Sequence, residues 1–381
     1  MRHQTAHLLD VVNAVRLLVF RLFLKFIFFI FLVFDHFSLS KNRGSLIYLR
    51  GITKKIGKIE NFAILRAVFF GFLEIEMSNS YFDLKPISFR GEVAVVAPSS
   101  PFEKTVFNAG ITELKLNKIK PVIDKNAFAK ASFLAGDDEL RAESLINAFT
   151  SENIEAVWTA RGGYGSLRLL EKLQENIDKI KANPKLFIGF SDVTALHAWL
   201  VDKCGFVTVH GPNITTLNSI DRFSKAQIFE LLQGKERAFT IFNKNMRALN
   251  PGKAKGVVKG GNLTTLVSMI GTPFEPDFKD SILFIEEVNE VPYRVDRLLT
   301  QMRLAGKFKG IKALVFGDFT YREFRPPAEK SVNPFAMLET IGLDKSIPVV
   351  CNFPAGHGQQ NMAFMLGAVA ELDTEAKTLK Y

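Results

Sequence analysis

Short apolar runs alternate with stretches of helical spacing along residues 92–200, and this alternation constrains the fold more than any other feature of the sequence. The apolar runs lie at residues 92–97, 120–123, 154–159 and 186–189. Continuous runs of this length are typical of strands that are buried on both faces of a parallel sheet, with helices as crossover connections. We therefore predict a doubly wound α/β domain over residues 88–215, with functional residues at the carboxyl ends of its strands.

The second half of the chain has a more β-like pattern. Residues 216–250 are polar and mixed, and we interpret them as a connector with one helix at residues 225–233. Strand-like runs then lie at residues 257–263, 281–287, 313–317 and 347–352, with a helix at residues 293–304 and short strand-like pieces at residues 363–373. This pattern predicts a second, smaller mixed α/β domain over residues 251–381.

Residues 1–76, which we term the leader, differ in composition from the rest of the chain. They hold 11 Lys and Arg against 5 Asp and Glu, a net +6 of the whole chain's +10, and residues 26–34 are an uninterrupted apolar run. Three interpretations are open: a membrane anchor with a basic flank, a secretory signal, or upstream sequence before a native start at Met77. We favour the start at Met77, which predicts a cytoplasmic protein, with a membrane-anchored protein as the alternative.

The sequence argues against several function classes. It contains two cysteines, Cys204 and Cys351, and no CxxC pair, which excludes a disulfide scaffold and a paired-thiolate metal site. Beyond the leader, basic residues form no block with interleaved aromatic residues, so we expect no nucleic-acid partner. The glycine-rich loop at residues 160–166 lacks the third glycine of a dinucleotide-binding fingerprint. It suits a simpler role, in which backbone N–H groups approach a ligand closely.

A strand, a sharp turn and a helix surround Ser191. The strand-like run at residues 186–188 leads into Gly189, Phe190 and Ser191, and residues 195–200 have helical spacing. A serine at such a turn can act as a nucleophile, because the turn projects its side chain from the sheet towards the N–H groups of the following helix. A Ser-Asp pair before a helix is also a common N-cap, so the residues alone leave both interpretations open.

Three histidines follow the leader, and each is a candidate base. His357 stands between two glycines just after a strand-like run, where its ring can reach a site at the strand ends, and it is the best candidate. His210 also ends a strand and could lie near the site, but a capped turn is an equal alternative. His197 lies on the helix that leads away from Ser191, which indicates a contact with the core or with solvent.

Glu286 is the best candidate for the acid that orients this base. It directly follows an apolar strand, where an unpaired carboxylate would cost several kcal/mol to bury. An imidazole N–H is a natural partner, since the pair fixes the tautomer of the histidine. A solvated strand end, or an ion pair with Arg294 or Arg297, is the alternative. Glu287 and Glu290 are competing candidates for the same role.

Seven short motifs occur along residues 88–381 in an order that resembles the LD-carboxypeptidases. This is the muramoyltetrapeptide carboxypeptidase family, which also contains the microcin C self-immunity hydrolases. The motifs are Ala97–Pro101, Ala160–Gly165, Gly189–Leu196, His210–Pro212, Gly260–Leu263, Leu283–Glu287 (followed by Tyr293, Arg294 and Arg297) and Phe353–His357. Each motif is weak alone, but the set is highly specific. The resemblance implies an N-terminal flavodoxin- or amidotransferase-like domain, a C-terminal swivelling-type domain and a site between them.

The resemblance also implies a site and a reaction. The family's triad carries over to Ser191, Glu286 and His357, and its oxyanion hole to the backbone N–H groups of Gly163 and Asp192. The implied reaction cleaves the bond between an L-configured centre and a terminal D-alanine. The implied substrate is murein tetrapeptide, in peptidoglycan recycling, with no metal or cofactor.

Further implications concern substrate contacts and assembly. Arg161 and Gly162 are candidate substrate-binding residues. Arg161 could place an anionic group of the peptide or, equally, form a structural ion pair. A homodimer is implied by the family, and a membrane partner only if the leader is part of the native protein. Two rival functions stay open: a microcin C immunity-type hydrolase of peptidyl or aminoacyl adenylate analogues, and a non-catalytic binder of murein peptides.

Overall fold

The fold is that of a computed structural model, in which residues 86–88, 90–320 and 333–381 are described. The leader, with the membrane-anchor and Met77 interpretations, lies outside the described residues. Within the described ranges, no helix is long and apolar enough to cross a membrane.

The elements are numbered in chain order. The strands are β1 (Glu92–Val96), β2 (Lys120–Ile123), β3 (Ile154–Thr159), β4 (Leu186–Gly189), β5 (Thr208–His210), β6 (Thr240–Phe242), β7 (Arg247–Asn250), β8 (Lys253–Asn262), β9 (Ser281–Val288), β10 (Ala313–Thr320), β11 (Val349–Cys351), β12 (Phe364–Leu366), β13 (Val369–Asp373) and β14 (Thr378–Lys380). The helices are α1 (Lys104–Leu116), α2 (Asp138–Thr150), α3 (Leu170–Glu175), α4 (Ile177–Lys181), α5 (Thr194–Trp199), α6 (Arg222–Leu232), α7 (Leu263–Met269), α8 (Pro292–Leu304) and α9 (Pro334–Ile341).

The first sheet has the strand order β12-β5-β4-β3-β1-β2. Strands β1 to β5 are parallel, and β12 joins the edge at β5 in the antiparallel direction. The order 2-1-3-4-5 of the parallel strands is that of flavodoxin-like domains, so the predicted doubly wound fold is confirmed. The carboxyl ends of β1, β3 and β4 lie side by side, which places the loops that follow them at one edge of the sheet.

Both faces of the inner strands of the first sheet are covered, which explains their continuous apolar runs, whereas the predicted run at residues 120–123 is the edge strand β2, whose side chains are largely exposed. Val93 and Val95 of β1 belong to one hydrophobic cluster, while Ala94 and Val96 belong to another cluster on the opposite face. All four side chains are buried. A strand in this position has no solvent-facing side, so its sequence shows no alternation of apolar and polar residues.

The second sheet has the strand order β6-β14-β13-β8-β9-β10-β11-β7. Its central strands β8 to β11 are parallel and the outer strands pair antiparallel. Side chains of α7, α8 and α9 form one cluster with this sheet. A further cluster contains Phe284 of β9 and Phe364 of β12, so the apolar core is continuous between the two sheets.

Three strands differ from the sequence prediction. β6 and β7 belong to the second sheet, although residues 216–250 were predicted to be a connector with one helix. Both are short edge strands with a single buried residue each, Ile241 and Asn250, so neither shows an apolar run. β12 joins the first sheet, although residues 251–381 were predicted to form one domain. The pairing of a strand with a distant partner is a non-local property, which local patterns do not encode.

Candidate active site

Ser191 lies in a strained turn at the carboxyl end of β4. Phe190 is extended with φ of −159°, and Ser191 has φ of +71°, in the left-handed region that a residue with a Cβ atom rarely adopts. A conformation of this kind costs on the order of 1–3 kcal/mol and is typical of functional sites. Residues Ser191–Val193 then form a short helical turn that continues into α5. Phe190, not Ser191, occupies the N-cap position of this turn, so the N-cap interpretation is wrong.

The imidazole of His357 connects Ser191 to Glu286. Its Nε2 lies 3.0 Å from Ser191 Oγ, and its Nδ1 lies 2.6 Å from Glu286 Oε2. A carboxylate only accepts hydrogen bonds, so Nδ1 carries the proton and Nε2 is free to accept from the serine hydroxyl. The Glu286 side chain is fully buried, while that of His357 is 17% exposed. The structure thus brings together three residues that are far apart in sequence.

Glycine at position 356 allows the loop after β11 to approach β9. Gly356 has φ of +124°, and a Cβ atom there would lie 3.0 Å from Glu286 Oε2. The same Cβ would also lie 3.0 Å from the Cβ of Asp318 on β10. The loop carries His357 past both carboxylates only because residue 356 has no side chain. The ring of Phe190 packs against the imidazole with centroids 4.8 Å apart and limits its tilt.

The competing acids have other partners. Glu287 accepts hydrogen bonds from the N–H and hydroxyl of Thr264, at 2.8 and 2.7 Å, at the start of α7. Glu290 pairs with Arg294 on the surface, and Arg297 lies over the ring of Tyr293. An ion pair of Glu286 with either arginine was the alternative in the sequence analysis. In the described part of the chain, the Glu286 carboxylate pairs with the imidazole of His357 instead.

Opposing effects act on the pKa of His357. Burial lowers it, but the charge and hydrogen bond of Glu286 and the charges of Glu287 and Asp318 together outweigh burial, so the pKa is raised from its usual 6.5. The imidazolium is therefore stabilised in this site. Stabilisation of the charged form is what a base needs when it holds the serine proton during catalysis.

The glycine-rich loop after β3 lies directly against Ser191. A Cβ atom on Gly162 would lie 2.8 Å from Ser191 Cβ and 3.0 Å from its Oγ. Gly163 has φ of +108°, and a Cβ there would meet Ser100 Oγ at 2.5 Å. The Ser100 N–H donates to the Gly162 carbonyl over 3.2 Å. Because the C=O and N–H of a trans peptide point in opposite directions, the N–H of Gly163 is directed away from Ser100.

Asp192 fixes this loop with its side chain. Its buried carboxylate accepts hydrogen bonds from Ser99 Oγ at 2.6 Å, from the Gly165 N–H at 3.2 Å and from the Ser166 N–H at 2.9 Å. The backbone N–H of Asp192 lies in the first turn of a helix, where N–H groups have no acceptor within the helix. The residue can therefore offer its N–H to a ligand while its carboxylate holds the neighbouring loops.

The remaining predicted residues lie around this centre. Arg161 is exposed and donates to the carbonyl of Pro101, and in the described part of the chain no ion pair holds it.

His197 is buried in the core, with Nδ1 at 2.8 Å from Thr208 Oγ1 and Nε2 at 2.9 Å from the Gly189 carbonyl. Burial lowers the pKa of His197 to about 4, so the ring is neutral. Of the two environments expected for His197 from the sequence, the core or solvent, the structure shows the core.

His210 is a buried residue of β5 and does not cap a turn. Its ring stacks on Phe364 with centroids 4.8 Å apart, and it contacts the edges of Phe190 and Phe284. Burial lowers its pKa well below the usual value. His210 is therefore not a member of the proposed triad.

Within the described ranges, no group of three or more His, Cys, Asp or Glu side chains is arranged to hold a metal ion.

Sequence reasoning missed the residues that hold the site together. Ser99 donates to the Asp192 carboxylate, and Ser100 accepts from the Tyr164 N–H of the glycine-rich loop. The polar turn at the end of β1 is the sequence feature that could have indicated these roles. The Asn262 N–H donates to Thr194 Oγ1 over 3.0 Å, which joins β8 of the second sheet to α5. A Cβ at Gly261 would lie 2.5 Å from the same hydroxyl, so this approach also requires glycine.

Comparison with known proteins gives consistent matches. The model of the LD-carboxypeptidase N-terminal domain matches residues 93–211, and that of the C-terminal domain matches residues 255–372. A probable murein peptide carboxypeptidase from Bacillus subtilis strain 168 is 33% identical over 75% of this chain and 90% of its own. The microcin C7 self-immunity protein MccF of Escherichia coli is 27% identical over 74% of this chain and 90% of its own. The crystal structure of a muramoyltetrapeptide carboxypeptidase from Oxalobacter formigenes superimposes with a TM-score of 0.64, at 31% identity, over 76% of this chain and 97% of that one.

Proposed function

The chain belongs to the LD-carboxypeptidase family and is a serine carboxypeptidase, and we propose that it removes the terminal D-alanine from murein tetrapeptides through an acyl-enzyme on Ser191. The observation that carries the proposal is the hydrogen-bonded series from Glu286 through His357 to Ser191, which ends on a strained turn. The relatives whose names specify a murein peptide or muramoyltetrapeptide support this choice of substrate.

The first step forms the acyl-enzyme. Ser191 Oγ attacks the carbonyl carbon of the diaminopimelate residue, and His357 Nε2 accepts the hydroxyl proton. Glu286 keeps the imidazole in the required tautomer and stabilises the imidazolium. The N–H groups of Gly163 and Asp192 donate to the oxyanion of the tetrahedral intermediate. Loss of one such donor typically lowers the rate by about a hundredfold or more.

Collapse of the tetrahedral intermediate completes the acyl-enzyme, and hydrolysis of this ester forms the second step. The imidazolium of His357 protonates the amine of the leaving D-alanine as the C–N bond breaks. Water then attacks the ester on Ser191 with His357 as base, the C–O bond to Ser191 breaks as His357 returns the proton to Oγ, and the tripeptide leaves with a free carboxylate. Arg161 is exposed near the glycine-rich loop, and we assign it the contact with an anionic group of the peptide. Gly162 contributes by its small size, which leaves space beside the nucleophile.

A direct assay tests this function. The purified chain is incubated with L-Ala-γ-D-Glu-meso-diaminopimelyl-D-Ala, and free D-alanine is measured by mass spectrometry. We expect release by the wild type, no release by Ser191→Ala, and wild-type release by Ser219→Ala, which removes an exposed hydroxyl elsewhere. Release by Ser191→Ala at the wild-type rate would rule out this serine as the nucleophile.

A second candidate function is a microcin immunity-type hydrolysis, favoured by the likeness to MccF over most of the chain. The triad geometry serves both reactions equally, because both begin with attack of a serine on a carbonyl group. Competition separates them. In a mixture of tetrapeptide and an aminoacyl sulfamoyl adenosine, a murein enzyme consumes the peptide first, whereas an immunity-type enzyme consumes the nucleotide analogue first.

We also propose an organisation and a location for the protein. The nucleophile lies on an N-terminal domain over residues 88–215. Residues 216–250, whose strands β6 and β7 join the second sheet, link it to a C-terminal domain over residues 251–381 that carries Glu286 and His357 and contributes β12 to the first sheet. We place the enzyme in the cytoplasm as a homodimer that serves peptidoglycan recycling. N-terminal sequencing and fractionation of the native protein test the location, and light scattering during size-exclusion chromatography tests the dimer.

A further inference from the structure

We propose that Arg141 is a positioning residue that fixes the two loops beside Ser191, and so sets the orientation of the N–H donors that stabilise the oxyanion. The inference rests on the proposed function, because it assigns Arg141 a role in the same reaction. Arg141 lies on α2 and acts through the backbone of the neighbouring loops, and no motif in the sequence pointed to it.

The guanidinium of Arg141 is almost completely buried, with 2% of the residue exposed. Its Nη1 donates to the carbonyl of Pro98, in the loop after β1, and to the carbonyl of Gly165 over 3.0 Å, in the loop after β3. Its Nη2 lies 2.5 Å from Asp138 Oδ1, one turn earlier on α2. One nitrogen atom thus joins the two loops that border the nucleophile.

Asp192 holds the same loop from its other side. The Gly165 peptide donates its N–H to the Asp192 carboxylate, while its carbonyl accepts from Arg141. A Cβ atom at Gly165 would lie 2.9 Å from Arg141 Nη1, so a side chain at this position would displace the guanidinium. A buried cation and a buried anion therefore fix the backbone two residues after Gly163.

This arrangement acts on geometry more than on stability. The ion pair with Asp138, whose side chain is 29% exposed, contributes little net stability, because the cost of burying the guanidinium offsets the attraction between the charges. The planar guanidinium, however, offers several N–H groups in fixed directions, which the flexible ammonium of lysine cannot reproduce. A displacement of about 1 Å in a catalytic group can lower a rate by about a hundredfold. Loss of the guanidinium should therefore slow the chemical step.

The rate at which a fluorophosphonate probe labels Ser191 tests this role without any peptide substrate. In labelling, Ser191 Oγ bonds to phosphorus, fluoride leaves, His357 takes the proton, and the phosphoryl oxygen occupies the oxyanion hole. We expect Arg141→Lys to be labelled about a hundredfold more slowly than wild type. Arg168→Lys is the matched control, because Arg168 shares Asp138 but lies on the surface, and it should label at the wild-type rate.

The outcomes separate the inference from the proposed function. Labelling of Arg141→Lys at the wild-type rate would overturn the positioning role. Normal labelling of the wild type without release of D-alanine would overturn only the substrate. If Arg141→Lys does not fold, Arg141→Met, which buries no charge, replaces it with the same expectation. With tetrapeptide, kcat should fall while KM is unchanged. The labelling rate constant distinguishes this from a purely structural defect, which would reduce the amount of active protein but leave the rate constant of the remaining active protein intact.

Discussion

At the scale of residues, each member of the proposed triad has one close neighbour that leaves it little freedom. Gly162 lies against Ser191, Phe190 packs on the imidazole of His357, and Gly356 lies against Glu286. Two of these neighbours are glycines because any Cβ atom would occupy space that the triad needs. The site is thus specified by the absence of side chains as much as by the catalytic groups.

The pH dependence of kcat/KM reports the state of His357. The base must be neutral to accept the serine proton, and its pKa is raised by the surrounding carboxylates. Activity should therefore fall as pH decreases, with a midpoint above 6.5. Asp318→Asn removes one of the charges that raise this pKa, so its midpoint should lie at a lower pH than that of the wild type. Identical profiles for the two proteins would contradict the electrostatic account.

Substitution of Gly162 tests the space beside the nucleophile. In Gly162→Ala the new Cβ would lie 2.8 Å from Ser191 Cβ, so one of the two loops must move. We expect a loss of about a hundredfold in kcat with little change in melting temperature. Gly205→Ala is the matched control, because a Cβ there meets open space in a left-handed backbone. That variant should lose stability and keep its specific activity.

At the scale of elements, inner strands were predictable from the sequence, whereas two edge strands of the second sheet were not. The bounds of β3 equal the predicted run, and five of its six residues are buried because β3 is an inner strand of the first sheet. The bounds of β2 also equal the predicted run, although β2 is an edge strand with largely exposed side chains. β6 and β7 pair at the edges of the second sheet with few buried residues, and no local pattern marked them. The short helix α7 was missed for a related reason: it follows β8 without an intervening loop, capped by Asn262.

The start of α2 gives a prediction for stability. Asp137 caps this helix, with its carboxylate accepting from the Leu140 N–H over 2.8 Å. Asp137→Ala should lower the free energy of unfolding by about 1 kcal/mol, because the N–H loses its acceptor. Urea denaturation measures the difference. Asp137→Asn keeps an acceptor at the cap and should retain most of the wild-type stability, and an equal loss in both variants would show that the cap is not the cause.

At the scale of the whole molecule, the nucleophile and its partners come from different sheets. Ser191 follows β4 of the first sheet, while Glu286 and His357 belong to the second sheet and the loop after β11. Periodicity alone cannot reveal such a meeting, and the assignment depended on an ordered set of motifs spread over the chain. The role of Arg141 was not predicted from the sequence, because an arginine on an amphipathic helix ordinarily faces solvent.

The leader gives a prediction at the same scale. The described residues of the site lie on β1 and on elements that follow it in the chain. A chain that begins at Met77 should therefore release D-alanine from tetrapeptide at the rate of the full chain. Parallel assays of the two proteins at equal concentrations measure this. A shortened chain that folds, as judged by its circular dichroism, but has lost activity would show that residues 1–76 take part in catalysis or in substrate binding.

The central claim is that Ser191 carries the acyl group during removal of a terminal D-alanine. Rapid quenching of the enzyme with tetrapeptide, followed by mass spectrometry of the intact protein, tests it most directly. The account predicts a transient adduct with the mass of the tripeptide acyl group, mapped to Ser191 and absent from Ser191→Ala. Release of D-alanine without any adduct, or an adduct on another residue, would contradict it.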